Sequence, residues 1–222
     1  MSPLAAANGE GEASLDRAAD ELSLTLLPGQ RAQLLEYIDL LVKWSQTYNL
    51  TSIRDRSGML SHHVIDCLAV LPSMRREMMG LSAPRVMDAG SGAGLPGVVI
   101  GIMEPSWAVT CVDSVGKKTA FVRHVAGSLG LRRVEAEHGR VEDLTKQFDV
   151  VVSRAFASLE AFTSRTRSAL AEQGKWLAMK GRVPQQEIDA LPLGVKVFHV
   201  EQIKVPALAA ERSLVWMKID DK

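Results

Sequence analysis

Short apolar runs alternate with longer amphipathic segments along the chain from Pro84 onward. The short runs are typical of buried strands, and segments with apolar residues three or four positions apart are typical of helices. The predicted strands are 85–88, 107–112, 133–137, 148–153 and 174–179, and the predicted helices are 96–103, 116–129, 158–171 and 184–190. This alternation predicts a mainly parallel sheet that is covered by helices on both faces.

Beyond Leu193 the pattern changes to two extended runs, 195–205 and 213–219, which are joined through residues 206–208. That connection is too short for a helical crossover, so the two runs are predicted to form an antiparallel hairpin. A nucleotide-type sheet that ends in a hairpin is the arrangement of methyltransferases, whereas an NAD-binding domain would continue with parallel crossovers. The predicted fold class is therefore α/β, a Rossmann-like class I methyltransferase with a C-terminal antiparallel hairpin and an N-terminal helical extension.

Two amphipathic helices are predicted before the sheet. The first runs from residue 30 to residue 48 and ends in a polar turn. The second carries an apolar face from Leu60 to Leu71 and is predicted to end at Pro72. Residues 1–20 lack apolar periodicity and are rich in Ala, Gly, Glu and Ser, which predicts a mobile N-terminal tail. The expected organisation is a tail at 1–25 and a single domain at 26–222, with N-terminal helices at 26–80 and a sheet core at 84–222.

The stretch 85–97 contains the principal candidate site. It reads as a buried strand, an acidic residue, a glycine-dense turn and a helix that opens with Pro96. Glycine tolerates positive φ and lets the backbone approach a ligand closely, and proline suits the first turn of a helix. Because open α/β sheets bind ligands at the carboxyl ends of their strands, we expect a ligand at this turn, with a purely structural turn as the alternative.

Two ligand classes fit the glycine turn. Residues 92–97 match the G-x-G-x-x-G pattern of NAD-binding proteins. Asp88, however, stands directly before the turn, where a carboxylate would face a pyrophosphate but can pair with an amino-bearing ligand such as S-adenosylmethionine. Asp113 follows Gly94 by nineteen residues, at the end of the next predicted strand. A carboxylate there can accept both ribose hydroxyl protons of an adenosine and can also cap a helix, so the residues favour S-adenosylmethionine over NAD.

Charge is balanced over the whole chain but not locally. The sequence has 26 basic and 26 acidic residues, yet residues 114–140 hold six basic and two acidic residues, a local charge of +4. This cluster is predicted to contact phosphates, with a solvated helix surface as the alternative. The candidates are Lys117, Lys118, Arg123 and Arg140.

The two cysteines, Cys67 and Cys111, form neither a metal-ligand spacing nor a disulfide framework, which is typical of a reducing compartment. No apolar run reaches the length of a membrane span, and the N-terminus lacks the basic and hydrophobic regions of a signal peptide. We therefore expect a cytoplasmic protein that binds no metal ion and no membrane.

Several further motifs accompany the glycine turn. They are Trp44 with Tyr48-Asn49-Leu50-Thr51, His63 with Asp66, Asp113-Ser114 with Lys117, Ser153-Arg154-Ala155-Phe156-Ala157, and Lys180-Gly181. Together with the turn they resemble the RsmG family of bacterial guanine-N7 methyltransferases of small-subunit ribosomal RNA, once called glucose-inhibited division protein B. The resemblance extends from Leu26 to Lys218, and the chain departs from the family's usual pattern at Cys67, Ala93 and Lys118.

The resemblance implies that the chain moves a methyl group from S-adenosylmethionine to guanine N7 in the decoding-region loop of 16S ribosomal RNA. It implies cofactor contacts for Gly90, Leu95, Val141, Glu142 and Arg154. With the candidates that the turn itself indicates, the cofactor-binding set is Asp88, Gly90, Gly92, Gly94, Leu95, Asp113, Val141, Glu142 and Arg154. The implied partner is 16S rRNA within a small ribosomal subunit or its precursor, and not DNA, and a monomer is expected.

Asn49 and Arg154 are the candidates for positioning the target base, and Lys180 joins the RNA-binding candidates. A surface arginine at a strand end is the alternative for Arg154. His63 and Asp66 are expected to form a structural hydrogen bond with each other, with a catalytic role as the alternative. No side chain is expected to act as a general base, because guanine N7 carries a lone pair and no proton at neutral pH. The alternative functions are methylation of another RNA or a small molecule, an NAD-dependent dehydrogenase, and a non-catalytic ribosome-binding protein.

Overall fold

The computed structural model describes residues 3–154, 156–208 and 211–220, with side chains from residue 9 onward. The strands are β1 Arg85–Ala89, β2 Ala108–Asp113, β3 Val134–His138, β4 Phe148–Ser153, β5 Leu170–Lys180, β6 Val195–Ile203 and β7 Arg212–Ile219. Within the described ranges they form one seven-stranded sheet in the order β3-β2-β1-β4-β5-β7-β6. β1 to β5 pair in parallel, and β7 is antiparallel to β5 and β6, which confirms the predicted parallel sheet and C-terminal hairpin.

Helices surround this sheet. They are α1 Pro3–Glu21, α2 Pro28–Tyr48, α3 Arg56–Met59, α4 Asp66–Leu68, α5 Leu71–Glu77, α6 Gly97–Met103, α7 Gly116–Ser128, α8 Leu159–Thr166 and α9 Gln185–Asp189. A π-helical turn, Leu60–Ile65, joins α3 to α4, and 3-10 turns lie at Val141–Asp143 and Arg167–Ala169. The N-terminal helices therefore precede the first strand, as the sequence predicts.

Successive residues of each strand are buried on opposite faces of the sheet, because successive side chains in a strand point in opposite directions. Val86 of β1 and Val152 of β4 belong to an apolar core that they share with the N-terminal helices, α6 and α7. Met87 and Val151 belong to a second core on the other face, which α8 covers through Phe162. Because both faces are buried, the strands carry long apolar runs rather than an alternation of apolar and polar residues.

The order of the strands reverses between β1 and β4. From β1 the chain adds β2 and then β3 on one side, and it returns to the other side of β1 for β4. Ser153, the last residue of β4, donates a hydrogen bond from its hydroxyl to the Ala89 carbonyl oxygen at 2.9 Å. Connections leave the two strands in opposite directions at this point, so a crevice opens at their carboxyl ends, and such crevices hold the ligands of open α/β sheets.

The predicted mobile tail is wrong for most of its length. Residues 3–21 form α1, which packs on α2 and on the π-helical turn, and Leu15, Ala18 and Ala19 are buried there. The apolar surface that α1 buries is mostly alanine, which gives a weak apolar periodicity in the sequence. Alanine also has the highest helix propensity. An alanine-rich segment can therefore be helical even though its sequence shows little apolar periodicity.

Three predicted helix boundaries also differ from the structure. Pro72 does not end a helix but lies in the first turn of α5, where proline needs no N–H donor. The helix predicted at 158–171 ends at Thr166, and β5 begins at Leu170, earlier than predicted. Pro96, predicted as the first residue of α6, is the N-cap of that helix.

Candidate active site

The glycine turn after β1 has the backbone geometry that its sequence predicts. Gly90, Gly92 and Gly94 have φ values of +70°, +58° and +88°, in the left-handed region that favours glycine. A Cβ atom on Gly94 would collide with the side chain of Val98 in α6. A Cβ on Gly92 would meet no described atom within 4 Å, so this part of the turn faces open space. The turn therefore packs tightly on its helix side and is open on the other.

A cleft of about 420 Å³, the glycine-turn cleft, lies beside this turn at the ends of β1, β2 and β3. Its wall includes Gly90, Asp113, Arg140, Val141, Glu142 and Phe156. Four of these residues are predicted cofactor contacts, and Arg140 is a predicted RNA contact. The structure thus brings together residues from three separate loops that sequence analysis could only assign one at a time.

Asp113 connects the second strand to the glycine turn. Its Oδ2 accepts a hydrogen bond from the Gly92 N–H at 2.9 Å, and its Oδ1 accepts one from the Val115 N–H at 2.8 Å. Lys118 Nζ lies 3.7 Å from Oδ2. Each carboxylate oxygen has a second lone pair, so Asp113 can hold the backbone and still accept a hydroxyl proton from a ligand in the cleft. The structural role and the ligand-binding role are compatible.

Asp88 is placed differently from its prediction. It is fully buried and lies outside the described wall of the cleft, and its Oδ2 accepts a hydrogen bond from the Gly97 N–H at 2.8 Å. Its Oδ1 accepts no hydrogen bond from the described residues. Burial raises the pKa of this carboxyl to about 7, against the opposing effects of the Gly97 bond and of Arg154. Asp88 thus supports the start of α6 beneath the turn.

A second cleft of about 270 Å³, the Arg154 cleft, lies where β4 and β5 end and β7 begins. Its wall includes Ile53, His63, Asp66, Arg154, Met179 and Arg212. Arg154 Nη1 donates to the His62 carbonyl oxygen at 3.2 Å and lies 3.6 Å from Asp66 Oδ2. Arg154 therefore belongs to this cleft, and it is not part of the described wall of the glycine-turn cleft.

His63 does not bond to Asp66, so the predicted hydrogen bond between them is wrong. His63 Nε2 lies 2.7 Å from Thr51 Oγ1, whereas Asp66 Oδ1 accepts a 2.7 Å hydrogen bond from Arg212 Nε. Arg212 is the preferred partner of this carboxylate because a charge-assisted hydrogen bond is stronger than a neutral one, and Arg154 adds an ion pair at 3.6 Å. Burial, with a further effect of Arg154, lowers the pKa of His63 to about 4. The imidazole is consequently neutral at physiological pH.

Comparison with known proteins identifies the family to which the chain belongs. A family model described as rRNA small subunit methyltransferase G matches residues 30–215. The chain belongs to this family. A protein called ribosomal RNA small subunit methyltransferase G from Albidiferax ferrireducens is 49% identical over 218 residues, which cover 94% of this chain and 97% of the relative. A relative with the same name from a Polaromonas species is 49% identical over 211 residues, covering 94% and 93%.

The fold has solved counterparts as well. The crystal structure of a SAM-dependent methyltransferase from Aquifex aeolicus matches with a TM-score of 0.53 at 15% identity, covering 72% of this chain and 92% of that chain. Membership in the methyltransferase G family and this likeness of fold confirm the predicted family, the class I methyltransferase fold and S-adenosylmethionine as the cofactor. The alternative function of an NAD-dependent dehydrogenase is inconsistent with this family.

The glycine-turn cleft fits S-adenosylmethionine. The cofactor supplies a methyl group on a positively charged sulfur, and its adenosine offers two ribose hydroxyls and an apolar ring. Asp113 retains lone pairs for hydroxyl donors, while Val141 and Phe156 give the cleft an apolar wall. Phe156 also lies 3.8 Å from the position of a Cβ on Gly90, so a side chain there would narrow the entrance. Leu95 and Gly94 lie in the turn itself, outside the described wall of the cleft.

The predicted RNA-binding residues differ in their exposure and in their partners. Lys117 is exposed at the start of α7, while Lys118 is drawn toward Asp113. Arg123 Nε donates to the Ala136 carbonyl oxygen of β3 at 3.1 Å. Lys180 lines the Arg154 cleft and donates to Glu187 Oε2 at 2.8 Å. Lys117, Arg123 and Arg140 are therefore exposed, and Lys117 and Arg140 follow the carboxyl ends of β2 and β3.

Asn49, predicted to position the target base, ends α2 in a left-handed conformation with φ of +48°. Its Oδ1 accepts a hydrogen bond from Arg54 Nη2 at 2.9 Å, and Arg54 Nη1 also donates to the Ser45 carbonyl oxygen. Asn49 is absent from the described walls of both clefts. The structure assigns it to the turn between the N-terminal helices and does not bring it to Arg154.

Several side chains that line the clefts were not among the predicted site residues. Phe156 and Arg165 line the glycine-turn cleft, and Arg212 lines the Arg154 cleft. Phe156 belongs to the motif 153–157, one of those that carry the family resemblance, so that motif is a signal that could have identified it. Arg212 lies at the start of the hairpin's second strand, and nothing local in the sequence connects it with Asp66. Among the described residues, no group of three or more His, Cys, Asp or Glu is arranged to hold a metal ion.

In the described ranges, no helix combines the length and the apolar character that crossing a bilayer requires.

Proposed function

We propose that this chain methylates N7 of a guanine in the decoding-region loop of 16S ribosomal RNA. The observation that carries the proposal is the pair of clefts on either side of the crevice between β1 and β4. The glycine-turn cleft holds the donor, and the Arg154 cleft holds the acceptor. The names of the relatives, ribosomal RNA small subunit methyltransferase G, support ribosomal RNA as that acceptor.

The chain's own residues divide into three roles under this proposal. Asp113 accepts the ribose hydroxyl protons of the cofactor, and Val141 with Glu142 flanks its adenine. Arg154 positions the acceptor nucleotide in the second cleft. Lys117 and Arg140 contact RNA phosphates, since phosphate contacts supply most of the affinity of nucleic-acid binding without reading the sequence.

The electrostatics of the Arg154 cleft support an acceptor atom that needs no deprotonation. His63, the imidazole in its wall, is neutral because its pKa lies near 4. Asp88, whose pKa lies near 7, is outside the described walls of both clefts. Guanine N7 carries an available lone pair and no proton, so positioning alone suffices, and orientation can supply about 7–11 kcal/mol of a barrier.

Methylation with radiolabelled S-adenosylmethionine tests the proposal. The purified protein is incubated in parallel with 16S rRNA, small ribosomal subunits, their precursor particles, DNA and a metabolite pool. We expect label in 7-methylguanosine from one decoding-region position, and more of it from assembled or precursor particles than from naked RNA. RNA with 7-deazaguanosine at that position should take up no label. Label in another nucleoside, in DNA or in a small molecule would overturn the proposal. We further propose that the protein is cytoplasmic and monomeric. Sedimentation of the purified protein tests the monomeric state, and cell fractionation tests the location.

A further inference from the structure

Asp66 is the carboxylate of the Arg154 cleft, and its two oxygens are not equivalent. It is only 2% exposed and begins α4. Oδ1 accepts the 2.7 Å hydrogen bond from Arg212 Nε. Oδ2 accepts no hydrogen bond from the described residues, and its nearest cation, Arg154 Nη1, is 3.6 Å away. One oxygen is therefore committed to the protein, and the other remains available as an acceptor.

Two arginines hold this carboxylate in place. Arg212 also donates from Nη1 to the Glu211 carbonyl oxygen at 3.0 Å, and Arg154 is fixed by its bond to the His62 carbonyl. Each guanidinium is thus anchored to the backbone as well as to Asp66. A buried carboxylate is costly unless it is paired, and this pairing compensates its burial while it fixes the direction of Oδ2.

The charges around the cleft restrict how a guanine can be recognised. The most frequent protein contact to guanine is an arginine that binds O6 and N7 together. That contact would cover N7, the proposed acceptor of the methyl group. The opposite edge of guanine carries the N1–H and the N2 amino group, which are donors and need an acceptor. Among the described residues of the wall, Asp66 supplies the carboxylate, while Arg154, Lys180 and Arg212 are donors.

We propose that Asp66 Oδ2 determines specificity by accepting a hydrogen bond from the N1–H or the N2 amino group of the target guanine. This inference rests on the proposed function. Met179 and Ile53 provide the apolar walls against which the purine ring packs. His63 Nδ1, buried and without a partner among the described residues, is a further polar atom at this cleft. Adenine presents an acceptor at N1 and no N2 amino group, so the same carboxylate rejects it.

The first test uses the unmodified protein on RNA with one altered base. Small subunits are reconstituted with inosine, which lacks the N2 amino group, or with 1-methylguanosine, which lacks the N1–H, at the target position. Both bases keep N7. We expect kcat/KM to fall by about tenfold or more for at least one of them, because a site built to bond an N–H discriminates against an analogue without it. Equal rates on all three bases would overturn the inference and leave the proposed function intact.

The second test uses Asp66→Asn. Arg212 holds the amide oxygen, so the amide nitrogen replaces Oδ2 and presents N–H groups to a base that also presents N–H groups. The preference of the parent for guanine over the disfavoured analogue should shrink toward unity. Arg212→Lys keeps a cation beside Oδ1 and should lower the rate while it retains that preference. A lower rate with an unchanged preference in Asp66→Asn would show that Asp66 only stabilises the structure and does not determine which base is methylated.

Cofactor affinity distinguishes a specific loss of base recognition from general damage to the protein. Asp66 is not part of the described wall of the glycine-turn cleft, so Asp66→Asn should bind S-adenosylmethionine as the parent does in calorimetry. If the variant fails to fold, the altered-base comparison on the parent still decides the question. If the unmodified protein methylates no guanine in any RNA, the proposed function is wrong, and this inference, which depends on it, is wrong as well.

Discussion

Asp113 accepts a hydrogen bond from the backbone N–H of Gly92, 21 residues earlier in the chain, at 2.9 Å. This bond ties the end of β2 to the turn that follows β1, so two sides of the glycine-turn cleft are held together by one carboxylate. The sequence indicates Asp113 as a ligand contact, and the structure adds that it shapes the turn.

Asp113→Ala should weaken S-adenosylmethionine binding by about 1.5–3 kcal/mol, about tenfold or more in affinity, because ribose hydroxyls and two backbone donors lose their acceptor. Calorimetry measures the change. Asp149→Ala is a matched control, since Asp149 pairs with Arg85 at the opposite edge of the sheet and should leave the affinity unchanged. Unchanged binding in Asp113→Ala would contradict the assignment.

Asp88→Asn should change how stability depends on pH. The folded-state pKa of Asp88 is raised to about 7 from an ordinary value of 3.8. Its contribution to the free energy of unfolding is therefore fully present below about pH 4 and is lost as the pH rises through 7. Asparagine keeps an acceptor for Gly97 and does not ionise. The variant should gain stability relative to the parent between pH 5 and pH 8, by a few kcal/mol at about 1.4 kcal/mol per pKa unit.

Urea unfolding at several pH values measures this difference. Asp149→Asn is the control with the opposite sign, because the side-chain and backbone bonds from Arg85 outweigh burial and lower the pKa of Asp149. Its contribution is present above the unfolded pKa and disappears as the pH falls. If Asp88→Asn shows the same pH profile as the parent, Asp88 does not titrate in the fold.

The rate of methyl transfer should hardly depend on pH. Because His63 has a pKa of about 4 and guanine N7 needs no deprotonation, single-turnover rates at saturating substrates should be nearly flat from about pH 6 to 9. Rapid-quench measurements across this range test the expectation. An inflection that disappears in His63→Ala would assign a proton-transfer role to His63 and refute a mechanism based on orientation alone.

Lys117→Ala and Arg140→Ala should each reduce the salt dependence of RNA binding. Both side chains are exposed at the carboxyl edge of the sheet. Each lost phosphate contact should lower the slope of log affinity against log salt by about 0.7–0.9. Filter binding at several salt concentrations gives the slopes. Lys196→Ala, an exposed change near the start of β6 at the opposite edge, should keep the slope of the parent.

Leu15→Ala should lower the free energy of unfolding by about 2–5 kcal/mol, as for other fully buried leucines. Denaturant unfolding measures the loss, and Glu12→Ala on the exposed side of α1 should have little effect. If Leu15→Ala is as stable as the parent, residues 1–25 behave as the tail that the sequence suggests and not as the helix of the structure.

The sequence predicts the elements of the sheet well because its strands are buried on both faces and separated by helices of distinct periodicity. The glycine turn is predictable for a local reason, since three positive φ values require glycine. Asp66, in contrast, pairs with Arg212 across 146 positions. Such a pair depends on how the N-terminal helices dock against the hairpin, and no spacing within a single element reports it.

The reversed direction of β7 makes the Arg154 cleft depend on a strand that is synthesised after the rest of the sheet. Because β7 runs against β5, its first residue, Arg212, reaches the carboxyl edge of the sheet and the Arg154 cleft. A polypeptide still emerging from its ribosome lacks this strand, leaves β5 as an open edge and lacks the partner of Asp66. A chain truncated before Arg212 should therefore lose the proposed preference for guanine over its analogues, because Asp66 then lacks the partner that fixes the direction of its Oδ2.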